Sequence, residues 1–400
     1  MAGHDTSGRD SSARATGTVR AQAIALGTRM DPGPGARTYT EGYLAQPVIM
    51  GHASVLGSHV TGVLTLDFEG LTLERGQLGS GAFGEGYVDR RHPHTYLHEA
   101  VAVVGGAFRG TGVSLAGGKG FVPFGTDDPM MRPFAAYPVN HHLAQILERY
   151  VAIVAVRRGK FSLEGGLFNG DEPVSPGAPP DADRFGDSWA TRATFGIRRD
   201  LEVEASYASV TSPELPTGGL DQQKWSVGTR LERAGGWLRS ALVEWAMTDE
   251  MSGDLRTNRF TSFLAEGSTA VRGASISARF EDTTRPEEER LLDPFRYALS
   301  PTDLSIIGIT RWRIGTVAVS APLPVRRADV APFIEVAYAR PTQEIDPSAF
   351  DPDEFYGSAS MWTMTFGVRL GVGRMVHRMG RYGAGMPNVP SASSGSHHAH

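Results

Sequence analysis

The chain contains no cysteine, and its only lysines are Lys119, Lys160 and Lys224. Without cysteine there is no disulfide framework, no thiolate nucleophile and no Cys-bound zinc. An excess of one charge is missing too: 39 Lys and Arg stand against 44 Asp and Glu, scattered along the chain, for a formal net charge of −5. That leaves no basic face and excludes a nucleic-acid partner. Long hydrophobic runs are also absent. The longest purely apolar one is VAIVAV at 151–156, whereas a membrane-spanning helix needs about 20 apolar residues. The first residues, MAGHDTSGRDSSARATG, carry no apolar core of a secretory signal.

What is present is glycine, aromatic residues and a period of two. There are 49 Gly, 18 Phe, 11 Tyr and 6 Trp, and from about residue 150 onward apolar and polar residues alternate in segments of strand length. In LEVEASYASV, Leu201, Val203, Ala205 and Tyr207 share one face, and Glu202, Glu204 and Ser206 the other. KWSVGTRLER sets Trp225, Val227 and Leu231 against Arg230 and Glu232. ASISARFE sets Ile276, Ala278 and Phe280 against Arg279 and Glu281. MWTMTFGVRLGV sets Trp362, Met364, Phe366 and Val368 against Thr363, Thr365 and Arg369. The alternation is least clean in VAIVAV and in SIIGITRWRIGTVAVSA, where both faces are apolar in places.

Short and long connections take turns. Tight Gly- or Asp-bearing turns fall at 108–112, 157–160, 198–201, 232–237 and 271–275. Between them lie long Pro/Asp/Gly-rich segments at 72–97, 120–149, 170–187, 212–221, 249–258, 282–302 and 342–357. This is the layout of an up-and-down transmembrane β-barrel, with short periplasmic turns at one rim and long external loops at the other. The turns predict an all-β, antiparallel barrel of sixteen strands over 16–372, with fourteen strands as the alternative. Residues 1–15 are then a disordered N-terminal segment and 373–400 a flexible C-terminal tail, whose His397, His398 and His400 are a minor metal-binding candidate. Trp237 and Trp245 share a face near opposite ends of one strand, and Trp189, Trp225, Trp312 and Trp362 fall near strand ends, as aromatic girdles require. A soluble β-sandwich explains the alternation but not the loop pattern. The expected location is the bacterial outer membrane, with the signal peptide absent from this chain.

On such a barrel the polar faces line the lumen. Their carriers include Asp67, Glu69, Glu164, Arg192, Glu202, Glu204, Arg230, Glu232, Glu244, Glu266, Arg279, Glu281, Arg311, Arg313 and Arg369. A wall of mixed charge holds water and passes small polar solutes or ions; acid–arginine pairs closing the lumen are the alternative. The densest chemistry is DRRHPHTYLHE, where His92, His94, His98 and Glu99 stand close together, with His141 and His142 in the next long segment. Imidazole suits copper and zinc, so these six residues are candidate ligands for a Cu or Zn ion. Histidines pinning a loop give the same pattern. There is no nucleophile elbow or phosphate loop, so a barrel-bound hydrolase has little to stand on and no enzyme activity is expected.

Asp89, Arg90, His92 and His94 in DRRHPH, Asp128 and Pro129 in DDP, the His141–His142 pair, LFNGDEP (167–173) and VTSPE (210–214) occur in an order that resembles a family of bacterial outer-membrane β-barrels. Its members carry Asp-Arg-Gln-His-Pro-His, Asp-Asn-Pro, His-His, Phe-Asn-Gly-x-Glu-Pro and His-Ser-Pro-Glu. The resemblance spans roughly 85–215. It implies a porin-like barrel, often encoded beside copper or other heavy-metal resistance functions, with no agreed activity to carry over. Arg91 stands where Gln is usual, Thr95 where Asp is usual, Thr211 where His is usual and Glu148 where a further His is expected, so several ligands of the pattern are missing. The resulting expectation is a passive pore, with a metal-binding barrel lacking an open pore as the alternative. Its partners are outer-membrane lipid, small polar solutes or metal ions, and further copies of itself in a homo-oligomer.

Overall fold

A computed structural model describes residues 15–31, 33, 38–72, 94–126, 129–139, 141–173, 175–213, 218–233, 235–288, 306–344, 351–374 and 378–386. Sixteen strands occur in chain order: β1 Thr16–Asp31, β2 Tyr39–Val55, β3 Val60–Asp67, β4 Leu97–Phe108, β5 Thr111–Gly120, β6 Arg149–Arg158, β7 Phe161–Phe168 and β8 Ser188–Arg198 form the first half. β9 Leu201–Val210, β10 Asp221–Glu232, β11 Leu238–Ser252, β12 Leu255–Val271, β13 Ala274–Glu288, β14 Ile306–Ser320, β15 Asp329–Gln343 and β16 Met361–Gly373 form the second. Every strand pairs antiparallel with its sequence neighbours. β1 closes on β16 from Arg20↔Gly373 to Asp31↔Trp362, leaving no sheet edge. Closure gives every strand a hydrogen-bonded neighbour on both sides, as a lipid environment demands.

The wall is apolar outside and mixed inside, apolar on β6 and polar on much of β7. On β6, Val151, Ile153 and Ala155 are buried while Val154 and Val156 are exposed. On β7, Leu163 and Leu167 point out while Ser162 and Glu164 are buried, and on β14 the outward pair is Val317 and Val319. In water this ring of exposed Val, Leu and Phe would be an aggregation surface; facing lipid, it is the barrel's contact band. Val154, 52 % exposed and central in β6, tests the point. Val154→Arg is expected to cost about 2–4 kcal/mol of folding stability in phospholipid vesicles, the price of a cation at the bilayer midplane. A loss of a few tenths, measured by urea titration, would mean that face does not meet lipid.

Aromatic residues mark both rims. On the long-loop side Trp189, Tyr207 and Trp225 form a chain with 5.3 Å between successive ring centres, and Tyr338 lies 4.8 Å from Trp362. Phe108, Phe161, Phe195 and Trp237 are exposed on the short-turn side. Trp312 departs from the expected girdle. It faces inward, fully buried, with its indole N–H near Thr310 and Glu287.

The rims alternate as the turns predict, with one exception. β11 and β12 run on to a two-residue turn at 253–254, with Gly253 at φ +60°, where the sequence pattern suggests a long loop over 249–258. Arg311 and Arg313 also depart from expectation. Trp312 and Ile314 fill the inward positions of β14, so both arginines point outward, paired to Asp282.

Among the described residues, segments from both rims fold into the barrel. The 121–148 connection between β5 and β6 crosses the interior, carrying a 3-10 turn at Pro129–Met131 and one helical turn at His141–Ala144. The C-terminal residues 378–386 enter from the short-turn side. Here the structure differs from the expected flexible tail beginning at 373: Gly373 ends β16, and Met379, Arg381 and Tyr382 are each at most 1 % exposed. Residues 1–14 and 387–400 lie outside the described residues. Phe121, Val122, Phe124, Met130, Ile146, Met379 and Tyr382 pack on Val101, Val103, Val151 and Ile153 of the wall, so the apolar core sits inside the barrel.

Candidate functional site

The inward loop is tied to the far wall by side chains that accept from or donate to its backbone. Glu335 of β15 accepts from the Ala135 and Ala136 amides at 2.8 and 3.1 Å, and Glu281 of β13 accepts from Val139 at 2.7 Å. Arg279 donates to the Ala136 carbonyl at 3.0 Å and lies over the Phe134 ring, and Arg369 of β16 donates to Pro133 at 2.9 Å. On the other side Ser206 of β9 accepts from Gly125, Thr126 bonds Glu244, and Arg132 lies 3.7 Å from Glu244 and 3.8 Å from Glu266. The loop therefore spans the lumen and narrows it, held by charges that sequence alone assigns only to a wall.

The C-terminal strap is held by acids of β4, β7 and β9. Arg378 meets Glu202 at 2.6 Å, Arg381 bonds Glu204 and lies 3.4 Å from Glu164, and the Tyr382 hydroxyl donates to Glu99 at 2.6 Å while accepting from the Phe121 amide. Burial and the Glu99 carboxylate push the Tyr382 phenol well above its ordinary value. Arg192 joins all three parts. It grips Glu164 with two nitrogens at 2.8 and 3.0 Å and donates to the carbonyls of Gly125 in the loop and Gly380 in the strap. Nothing in the sequence marks Arg381 or Tyr382, because 378–386 has no strand period.

The histidine-rich candidates separate into three groups. His92, Asp89, Arg90 and Asp128 lie outside the described residues, as do the side chains of His142 and Pro129. Glu99 and His141 serve other partners. Glu99 accepts from Thr65 and Tyr382; His141 packs near Tyr137, with Nδ1 3.3 Å from the Pro138 carbonyl. His94 and His98 come together, their rings nearly parallel with centres 5.1 Å apart. Strict alternation would send His98 to the outside, since Glu99 faces in. A bulge between β3 and β4, where Thr65 pairs Glu99 but Leu66 pairs Leu97, leaves His98 unpaired and turns it inward.

Asp67 completes the group, as a residue that sequence reading placed in the lumen without linking it to the histidines. Its Oδ2 lies 3.4 Å from His94 Nδ1, an ion-pair distance too long for a hydrogen bond, while Oδ1 accepts from the Glu69 amide at 2.8 Å. Glu148, where the family pattern expects histidine, sits at φ +59°, in the left-handed region that glycine favours. Its own carboxylate holds it there, accepting from the Thr95 amide at 2.9 and 3.1 Å and meeting His98 Nδ1 at 2.5 Å. Burial disfavours the His94 imidazolium, but Asp67, Glu148 and Glu69 outweigh it and raise its pKa to about 9. Burial and the Asp67 carboxylate raise Glu69 to about 7. Burial also acts to raise Glu148, yet His98, His94 and Lys119 hold it below its ordinary value.

A closed sixteen-strand wall, apolar outside, with buried charged side chains and a folded-in loop in its interior, defines a porin-like β-barrel. No family model and no curated protein matches the chain. Among solved structures, the anion-selective porin from Comamonas acidovorans superposes with a TM-score of 0.53 at 11 % identity, over 90 % of this chain and 100 % of that one. A loop L8 deletion mutant of OmpT, an outer membrane protein of Vibrio cholerae, gives 0.50 at 11 % identity, over 89 % and 99 %. At such identities the likeness is one of fold.

Proposed function

We propose that the protein is a passive channel of the bacterial outer membrane, admitting small polar solutes or ions through a lumen narrowed by the 121–148 loop. The observation that carries this reading is the inversion of the wall. Apolar side chains cover the outside, while Glu244, Arg279 and Glu281 are buried inside and bonded to the inward loop, and Glu204 is buried and bonded to the strap. Passage involves no covalent step; the width beside the loop and the field of the paired charges select the solute. The exposed apolar band supports contact with membrane lipid, and copies of the chain packed through that band would form a homo-oligomer.

The test is single-channel conductance of the purified, folded protein in a planar lipid bilayer. Stepwise currents support the channel, and silence from protein shown to be β-rich by circular dichroism would overturn it. Glu335→Ala sharpens the test. It leaves the Ala135 and Ala136 amides without their acceptor, an unsatisfied pair costing about 1–3 kcal/mol each. The loop is then expected to detach and conductance to rise about twofold, with more open-channel noise.

A further inference from the structure

We propose that Arg313 and Arg340, with Arg311 beside them, bind the phosphate groups of a phosphorylated membrane lipid on the outer surface of the barrel. The site shares with the channel reading only the lipid-facing wall, on which it rests. The outward positions of β13 to β16 change character in consecutive rows across the sheet. One row is Ala278, Val317, Val336 and Met364, all apolar and paired strand to strand. The next toward the long loops is Phe280, Gly315, Tyr338 and Trp362, with three aromatic rings of a membrane interface. The row after that is Asp282, Arg313 and Arg340. Two strand residues at about 3.3 Å each, tilted by about 40°, carry the arginines about 5 Å beyond the aromatic row. That is the depth of lipid headgroups.

Charge at this level is unbalanced. Arg313 and Arg340 are direct cross-strand partners on one face, which puts their Cβ atoms about 5 Å apart and sets like charges against each other. The two nearby acids both serve Arg311, Asp282 at 2.5 Å and Glu344 at 3.3 Å. Arg313 meets only the second oxygen of Asp282, at 3.4 Å, and its side chain is 55 % exposed. Arg340 is exposed, and among the described residues no acid lies within ion-pair distance of it. Three arginines against two acids leave this group a net charge of +1. Alone, the Arg313–Arg340 pair is unfavourable. An anion between the two guanidinium groups reverses that, because their forked donors match phosphate oxygens. A free phosphate would leave the apolar row below untouched. A lipid sets its phosphates on the arginines and its chains on Val317, Val336 and Met364, as charge and apolar surface side by side require.

The test follows the full chain, folded in maltoside detergent, by native mass spectrometry while diphosphorylated lipid A, or the same lipid with its phosphates removed, is added. The expected result is one lipid A retained per chain. Retention is expected to be at least about 10-fold weaker for the dephosphorylated lipid, and for lipid A on the double variant Arg313→Gln with Arg340→Gln. Both positions point outward and are exposed, and circular dichroism confirms the fold. Thermal unfolding adds a change of sign that a merely structural role would not produce. In maltoside micelles, which carry no phosphate, Arg340→Gln is expected to unfold at a higher temperature than the unsubstituted chain, and with lipid A added at a lower one. Equal retention of the two lipids, unchanged retention in the double variant, or release of lipid A by inorganic phosphate would each overturn the proposal. A two-chain complex without lipid, lost in the double variant, would overturn it by giving the patch to a second copy. Conductance enters none of these readouts, so a silent barrel that retains lipid A leaves the site standing, and a conducting one that does not defeats it.

Discussion

Arg192→Ala is expected to cost the barrel about 3–5 kcal/mol of folding stability, the loss typical of removing one partner from a buried ion pair. Arg192 and Glu164 are each 1 % exposed and joined by a two-nitrogen grip. Truncation leaves Glu164 with Arg381 at 3.4 Å as its nearest described cation, and strips donors from the Gly125 and Gly380 carbonyls. Three separate pieces of structure, wall, loop and strap, lose their common tie. Arg192→Lys is expected to recover little, because an ammonium cannot reproduce the forked grip. Arg192→Leu with Glu164→Leu is expected to recover much of the loss, since no unpaired buried charge remains at that position. Urea unfolding followed by tryptophan fluorescence in phospholipid vesicles gives the number. A loss below about 1 kcal/mol would place the pair in the exposed, weakly stabilising class.

Much of the barrel is legible in the sequence because lipid outside and polar atoms inside impose a period of two on each strand. The exceptions were visible as well, although their cause was not. VAIVAV is apolar on both faces because Val151 and Ile153 pack against the inward loop while Val154 and Val156 face out. Trp312 and Ile314 do the same beside Val139 and Tyr356. Arg311 and Arg313 were misplaced for the same reason. Where the inner face is apolar, polarity ceases to report direction. His98 was found as a residue but not as a position, because its inward turn comes from a one-residue bulge set by pairing with β3. The Asp67–His94–His98 group joins residues from β3 and β4 and the segment between them, and no spacing rule connects them. The strap was invisible because nine irregular residues gain their structure wholly from partners elsewhere in the chain.

That strap sets the second large effect. A triple variant, Arg378→Ala, Arg381→Ala and Tyr382→Ala, removes the ties to Glu202, Glu204, Glu164 and Glu99. It also takes two fully buried large side chains out of the lumen's short-turn end. Single-channel conductance is expected to rise about threefold or more, because a pore's current follows its narrowest free cross-section and the charges lining it. Glu202 and Glu204 then lose their arginines, while Glu164 keeps Arg192 and Glu99 keeps Thr65, so the current is also expected to shift toward cations, read as a reversal-potential change across a salt gradient. The two readouts separate the ways the idea can fail. A charge shift without a rise in conductance would mean the strap neutralises the lumen without obstructing it. If neither changes in protein that remains folded, the conducting path bypasses 378–386, and the 121–148 loop alone sets the constriction.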